Sequence, residues 1–127
     1  MSFFSVLSIC IGASLGALFR FWLGLSLNTI FPTIPLGTWV ANMIGGFLIG
    51  VFIAVSKSYP FIPEVGRLAI ATGFLGGLTT FSTFSGETVT LIVQQEYLWS
   101  MVIIGIHVIG SIVATLLGMY TVKFIMT

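Results

Sequence analysis

Apolar residues run almost unbroken through four stretches of this chain, and polar residues gather in the short gaps between them. Residues 3–27 hold one charge, Arg20, and residues 36–55 hold none. Residues 68–86 also hold none, and the run resumes past Glu87 to residue 93. Residues 99–122 are uncharged, with His107 inside them. A helix needs about 20 predominantly apolar residues to cross a bilayer. The pattern therefore predicts an all-α integral membrane protein with transmembrane helices over about 3–27, 36–56, 66–93 and 98–123. They form a single domain spanning residues 1–127, because the connections are too short for a soluble one. An even number of spans puts both termini on one side.

Composition agrees. Charged residues are 6% of the chain, against about 25% in a soluble domain. Linker breakers stand where they are needed: Asn28 and Pro32 to Gly37, then Lys57 to Pro60 with Pro63, then Gln94-Gln95-Glu96. Tyr59, Tyr97 and Trp99 fall where interfacial aromatic belts are expected. The first segment lacks a basic start and holds Arg20, so it reads as a mature helix and not a signal peptide. Cys10 is the single cysteine, which excludes an intrachain disulfide. Small residues repeat at packing distance: Gly12 and Gly16, Gly46 and Gly50, Gly73 and Gly77, then Gly110, Ala114 and Gly118. Four tightly packed helices leave little room for water, so a transport function implies an oligomer with pathways at subunit boundaries. Lys57, Arg67 and Lys123 lie on the side of the termini, against Arg20 near the other, which favours cytoplasmic termini.

One decapeptide breaks the apolar monotony. Residues 76–85 read Gly-Gly-Leu-Thr-Thr-Phe-Ser-Thr-Phe-Ser, with five hydroxyls and two phenylalanines. Paired glycines weaken a helix, and hydroxyls replace lost backbone hydrogen bonds. The third helix is expected to break near its middle, between Gly76 and Thr80. Irregular backbone at membrane depth is tolerated only where protein or a cavity covers it. The segment is therefore a candidate permeation or ion site. Its freed carbonyls suit a hard cation such as sodium.

Polar groups inside a membrane are expensive and mark function. Phe81 and Phe84 share a helix face, and ring edges are positive. Two edges hold a small anion without a full charge to trap it; packing is the alternative. Asn42 is a lone amide that donates either to an anion or to another helix. Ser82, Thr83 and Ser111 supply hydroxyl donors along a dehydrated track, or bond back to their own helices. Glu87 follows Phe84 by one turn and marks a vestibule at a mouth. His107 is either its partner or a packing histidine. Arg20 snorkels, caps carbonyls at the broken helix, or draws anions inward. No carboxylate cluster, His/Cys array, catalytic triad or phosphate loop is present, so the chain is not expected to be an enzyme.

These residues resemble the small bacterial fluoride channels of the Fluc/CrcB family. The likeness rests on residues 76–85 followed by Glu87, and on Gly12 with Gly16 and Arg20. It extends to Pro35-x-Gly37-Thr38-x-x-x-Asn42 and to His107-x-x-Gly110-Ser111. The resemblance implies a fluoride-specific channel that passively exports fluoride and lowers its cytoplasmic toxicity. It implies an antiparallel, dual-topology homodimer with two pathways in a bacterial inner membrane. Phe81 and Phe84 would be its ring box, Asn42 its pore amide, Ser82, Thr83 and Ser111 its hydroxyl track, and Glu87 its vestibule acid. It further implies a structural, untransported Na+ at the dimer interface, held by the carbonyls of Gly76 and Thr79 from each subunit. Arg20 matches a basic residue near the mouth or dimer surface. The alternative from another class is a dual-topology proton-coupled drug antiporter, which requires an embedded carboxylate, usually in the first span. Here that span has Arg20 and no acid. A non-transporting structural subunit leaves the hydroxyl-rich break unexplained.

Overall fold

The computed structural model describes residues 1–126. Four helical stretches among them are long and apolar enough to cross a membrane. Helix α1 (Phe3–Leu27) starts on Ser2, whose Oγ accepts the Ser5 N–H, and ends at Asn28. Asn28 Oδ1 then accepts the Gly37 N–H at 2.7 Å, tying the end of α1 to the first turn of α2 (Leu36–Ser58). The second linker is held by Arg67, which donates to the carbonyls of Ile62 and Pro60 at 3.1 and 3.0 Å. The third span, Glu64–Val93, is composite. It comprises α3 (Glu64–Arg67), a π-helical segment (Leu68–Leu75), α4 (Gly76–Leu78) and α5 (Phe81–Val93). A tight turn with Gln95 at φ 61° leads into α6 (Tyr97–Ile125).

The predicted spans match closely, and the small-residue repeats explain the packing. A methyl on Gly16 would collide with the Phe74 carbonyl oxygen, and one on Gly77 with that of Ala13. Helix α1 and the third span thus dovetail backbone to backbone. Likewise a methyl on Gly50 would strike the Thr115 carbonyl, and one on Gly118 that of Phe47, joining α2 to α6. Close approach of this kind suits bilayers, where lipid gives helices little hydrophobic reason to associate.

The break falls inside the expected window of residues 76–80, at Thr79 and Thr80, whose backbones are extended (φ −83°, ψ 153° and φ −148°, ψ 120°). Gly76 and Gly77 themselves stay helical, in α4. Gly77 serves packing against α1 instead. The π-helical turns ahead of the break were not expected at all. They widen the helix so that the Gly76 N–H reaches back to the Ala71 carbonyl, five residues away.

Two apolar cores flank the break. One joins Leu75 and Leu78, before it, to Leu23 of α1 and Ala41 of α2. The other joins Phe84 and Leu91, after it, to Ile34 and to Ile103 of α6.

Candidate permeation site at the helix break

The break is possible because Asn42 supplies the hydrogen bonds that the helix gives up. Asn42 Oδ1 accepts the Thr80 N–H at 2.8 Å, and Nδ2 donates to the Thr80 carbonyl at 3.1 Å. One amide on α2 therefore satisfies both backbone groups of one residue, as a neighbouring strand would. Thr80 also starts α5: its Oγ1 accepts the Thr83 N–H at 3.1 Å and donates to Thr83 Oγ1 at 3.0 Å. This is ordinary N-capping by a hydroxyl residue. Arg20 contributes from α1, donating through Nε to the Gly77 carbonyl at 3.1 Å. Of its three expected roles, carbonyl capping at the broken helix is the one this contact fulfils.

A cleft of about 300 Å³ opens beside the break. Asn42, Phe81, Phe84 and Ser111 line it together with Thr79, Thr80 and His107. The two rings meet edge to face, 5.6 Å between centroids and 71° between planes. Phe84 is buried and stacks on His107 at 4.5 Å, while Phe81 is 76% exposed. The pair thus turns one fixed ring and one open ring toward the cleft. Ser111 donates to the Val108 carbonyl at 3.1 Å, the back-bonding fate expected of a helical serine, yet its side remains in the cleft wall.

The remaining predicted residues stand apart. Ser82 is exposed, with its hydroxyl 3.4 Å from that of Thr80. Thr83 lines a separate cleft of about 290 Å³ with Arg20, Asn28 and Thr38. Glu87 lies in the wall of another, of about 410 Å³, beside Pro32, Thr33 and Gln94 near two interhelical linkers. Gly76 and Thr79 share a fourth hollow of about 250 Å³ with Asn42 and Gly45.

Of the two readings of His107, the pairing with Glu87 is not formed. Glu87 Oε2 accepts from Thr38 Oγ1 at 2.7 Å, and His107 Nδ1 lies 3.0 Å from Asn42 Nδ2. Thr38 was the residue without an assigned role. The signal that marks it is its spacing, four residues before Asn42, which places both on the α2 face toward α5. Thr38→Val is expected to destabilise the protein by about 1–3 kcal/mol, because the carboxyl oxygen loses its buried donor. Thr38→Ser should lose little. Unfolding in a graded detergent titration measures both.

The model for the family described as "CrcB-like protein, Camphor Resistance (CrcB)" matches residues 7–119. A protein of Nitrosospira multiformis named "Fluoride-specific ion channel FluC" is 52% identical over 98% of both chains. Proteins of the same name from Tolumonas auensis and Pseudomonas syringae pv. maculicola are 54% and 53% identical, over 96% and 97% of both chains. With nearly the whole chain inside these alignments, it belongs to the CrcB-like family.

Proposed function

We propose that the chain is a fluoride-specific ion channel that exports fluoride passively and so lowers its cytoplasmic level. The observation that carries the reading is the edge-to-face Phe81–Phe84 pair, set at the start of a half-helix beside a hydroxyl-lined cleft. Ring edges and the positive end of α5 attract an anion without a counter-charge, so that the ion is also released. Relatives bearing the name of a fluoride-specific channel across nearly the full length support the choice of ion. The antiporter alternative gains no such support. Its acid would be Glu87, which lies on α5 and is bonded to Thr38.

The driving force is electrical. Hydrogen fluoride crosses membranes as a neutral acid, ionises at cytoplasmic pH and is trapped. A potential negative inside pushes the anion out with ~2.3 kcal/mol per charge per 100 mV. Purified protein in potassium-fluoride liposomes should therefore release fluoride when valinomycin provides a potassium shunt. No fluoride release under the shunt would overturn the reading. Glu87→Gln separates the classes: it abolishes transport in a proton-coupled antiporter and spares channel-type efflux.

The route runs past Asn42, Phe81, Phe84 and Ser111, with Ser82 and Thr83 alongside and Glu87 at a mouth. In this reading a second, antiparallel copy covers the open side. What supports it is the exposure of Phe81, Ser82, Thr83 and Ser85 on one half-helix. Hydroxyls bared to hydrocarbon are unfavourable, whereas a facing protein surface satisfies them. A bacterial inner membrane is the corresponding location.

A structural Na+ between the two copies belongs to the same proposal. The Thr80 N–H that would normally close a turn on the Gly76 carbonyl points to Asn42 instead. Arg20 takes the adjacent Gly77 carbonyl. The carbonyls of Gly76 and Thr79 thus fit a hard monovalent cation, which needs oxygen donors and no carboxylate. The cation would hold the two broken helices in register. Replacing sodium on both sides with a bulky organic cation is expected to reduce fluoride efflux several-fold; unchanged efflux would remove the site.

A further inference from the structure

We propose that the cleft between the last turns of α2 and α6 is a binding site for an anionic phospholipid. The site needs only the membrane-spanning fold, whichever ion the chain conducts. It arises where the two helices part. Their backbones meet at Gly50 and Gly118, where a methyl on either glycine would strike the facing carbonyl. Neither helix has a glycine beyond these positions. Larger side chains therefore hold the final turns apart, and a cleft of about 420 Å³ opens between them. Ala54, Leu116 and Met119 give it an apolar wall. Lys57, from the last turn of α2, and Lys123, from the last turn of α6, line its outer end together with Tyr120.

Charge and polarity both fit such a lipid. The chain has two lysines and two arginines. Both arginines donate to backbone carbonyls elsewhere, whereas both lysines line this one cleft from different helices. None of its lining residues is acidic. Lysines at helix ends also offset the helix dipoles, but that role asks for no shared hollow. In a bilayer the apolar wall faces acyl chains, while the two ammonium groups stand at headgroup depth. An ammonium is a compact charge that donates to phosphate oxygens. A choline headgroup would bring a further cation beside the lysines, so a lipid whose phosphodiester is its only charge is preferred. Leu116 lies two turns deeper than Lys123, about 10 Å, which suits the first part of an acyl chain. A free phosphate would have no use for that wall. In the antiparallel pairing proposed above, one such site faces each leaflet.

Native mass spectrometry of the full-length protein, released from detergent with phosphatidylglycerol or phosphatidylcholine present, tests the site. Wild type should retain one phosphatidylglycerol per chain, at least about tenfold in preference to phosphatidylcholine. Lys57→Gln combined with Lys123→Gln should weaken phosphatidylglycerol roughly thirtyfold, about fivefold per lysine. Both lysines are exposed, so this variant should elute in detergent as wild type does. Replacing both by arginine should keep the lipid. Ala54→Phe fills the hollow and leaves the lysines in place, so it should also lose the lipid; a purely electrostatic attraction to the surface would survive it. Leu116→Ala, at an exposed side chain, should weaken binding severalfold and repeats this arm if Ala54→Phe misfolds. Equal retention of the two lipids overturns the proposal, as does phosphatidylglycerol binding unchanged in the paired glutamine variant or in a folded hollow variant. Displacement of the lipid by millimolar inorganic phosphate overturns it too, since the site would then read phosphate alone. So does a dimer that carries no lipid because its second copy fills the cleft. None of these readouts uses fluoride flux, so a failure of the channel reading is told apart from a failure here.

Discussion

Phe84→Ile is expected to lower fluoride efflux by more than tenfold while leaving the helical bundle assembled. Isoleucine fills a similar volume in the core with Leu91 and Ile103, so the packing loss is modest. It removes the ring, however, and with it three relations: the edge presented to the cleft, the edge-to-face contact with Phe81, and the stack that orients His107. Each aromatic relation of this type is worth about 0.5–1.5 kcal/mol, and ~1.4 kcal/mol is a factor of ten in rate. Phe81→Ile should also suppress efflux but should cost almost no stability, because that side chain is 76% exposed. Liposome efflux gives the first quantity, and elution volume in detergent reports assembly. Wild-type efflux in both variants would place the anion site elsewhere.

Asn42→Leu is expected to be more damaging still, since it should lose both flux and fold. Leucine keeps the branched outline of asparagine, is bulkier, and offers no polar atom. The Thr80 N–H, the Thr80 carbonyl and His107 Nδ1 would all lose their partner at once. Each buried group left unmatched costs about 1–3 kcal/mol. The sum is a large fraction of the stability of any domain of this size. Thr80 should then revert toward helix, its N–H returning to the Gly76 carbonyl and closing the cation site. A detergent unfolding titration and sodium-dependent efflux measure the two consequences. Stability within about 0.5 kcal/mol of wild type would mean that Asn42 does not hold the break open.

The spans and the packing were legible because both are local. An apolar run of bilayer length can do little but cross, and Gly12 with Gly16 or Gly46 with Gly50 are read directly from spacing. The break was legible to within residues 76–80 but not to the residue. Glycine propensity favoured the start of that window, whereas the conformation of Thr80, at its end, is stabilised by Asn42, 38 residues away in sequence. No local rule carries that information. The π-helical segment Leu68–Leu75 escapes for a similar reason, since its composition is that of any buried helix. Polar partners depend on how each helix is rotated about its axis. Sequence placed Phe84, Glu87 and His107 near one another, yet the rotation gives Glu87 to Thr38 and His107 to Asn42. Thr38 itself stood in plain view, on the same face of α2 as Asn42.

The central claim is that ring edges and N–H and O–H donors around Thr80 replace the water of a small halide and of no larger one. A planar bilayer holding the purified protein, with fluoride on one side and chloride on the other, tests it directly. The account predicts a reversal potential set by the fluoride gradient and unmoved when chloride is varied. A reversal potential that follows chloride would contradict it.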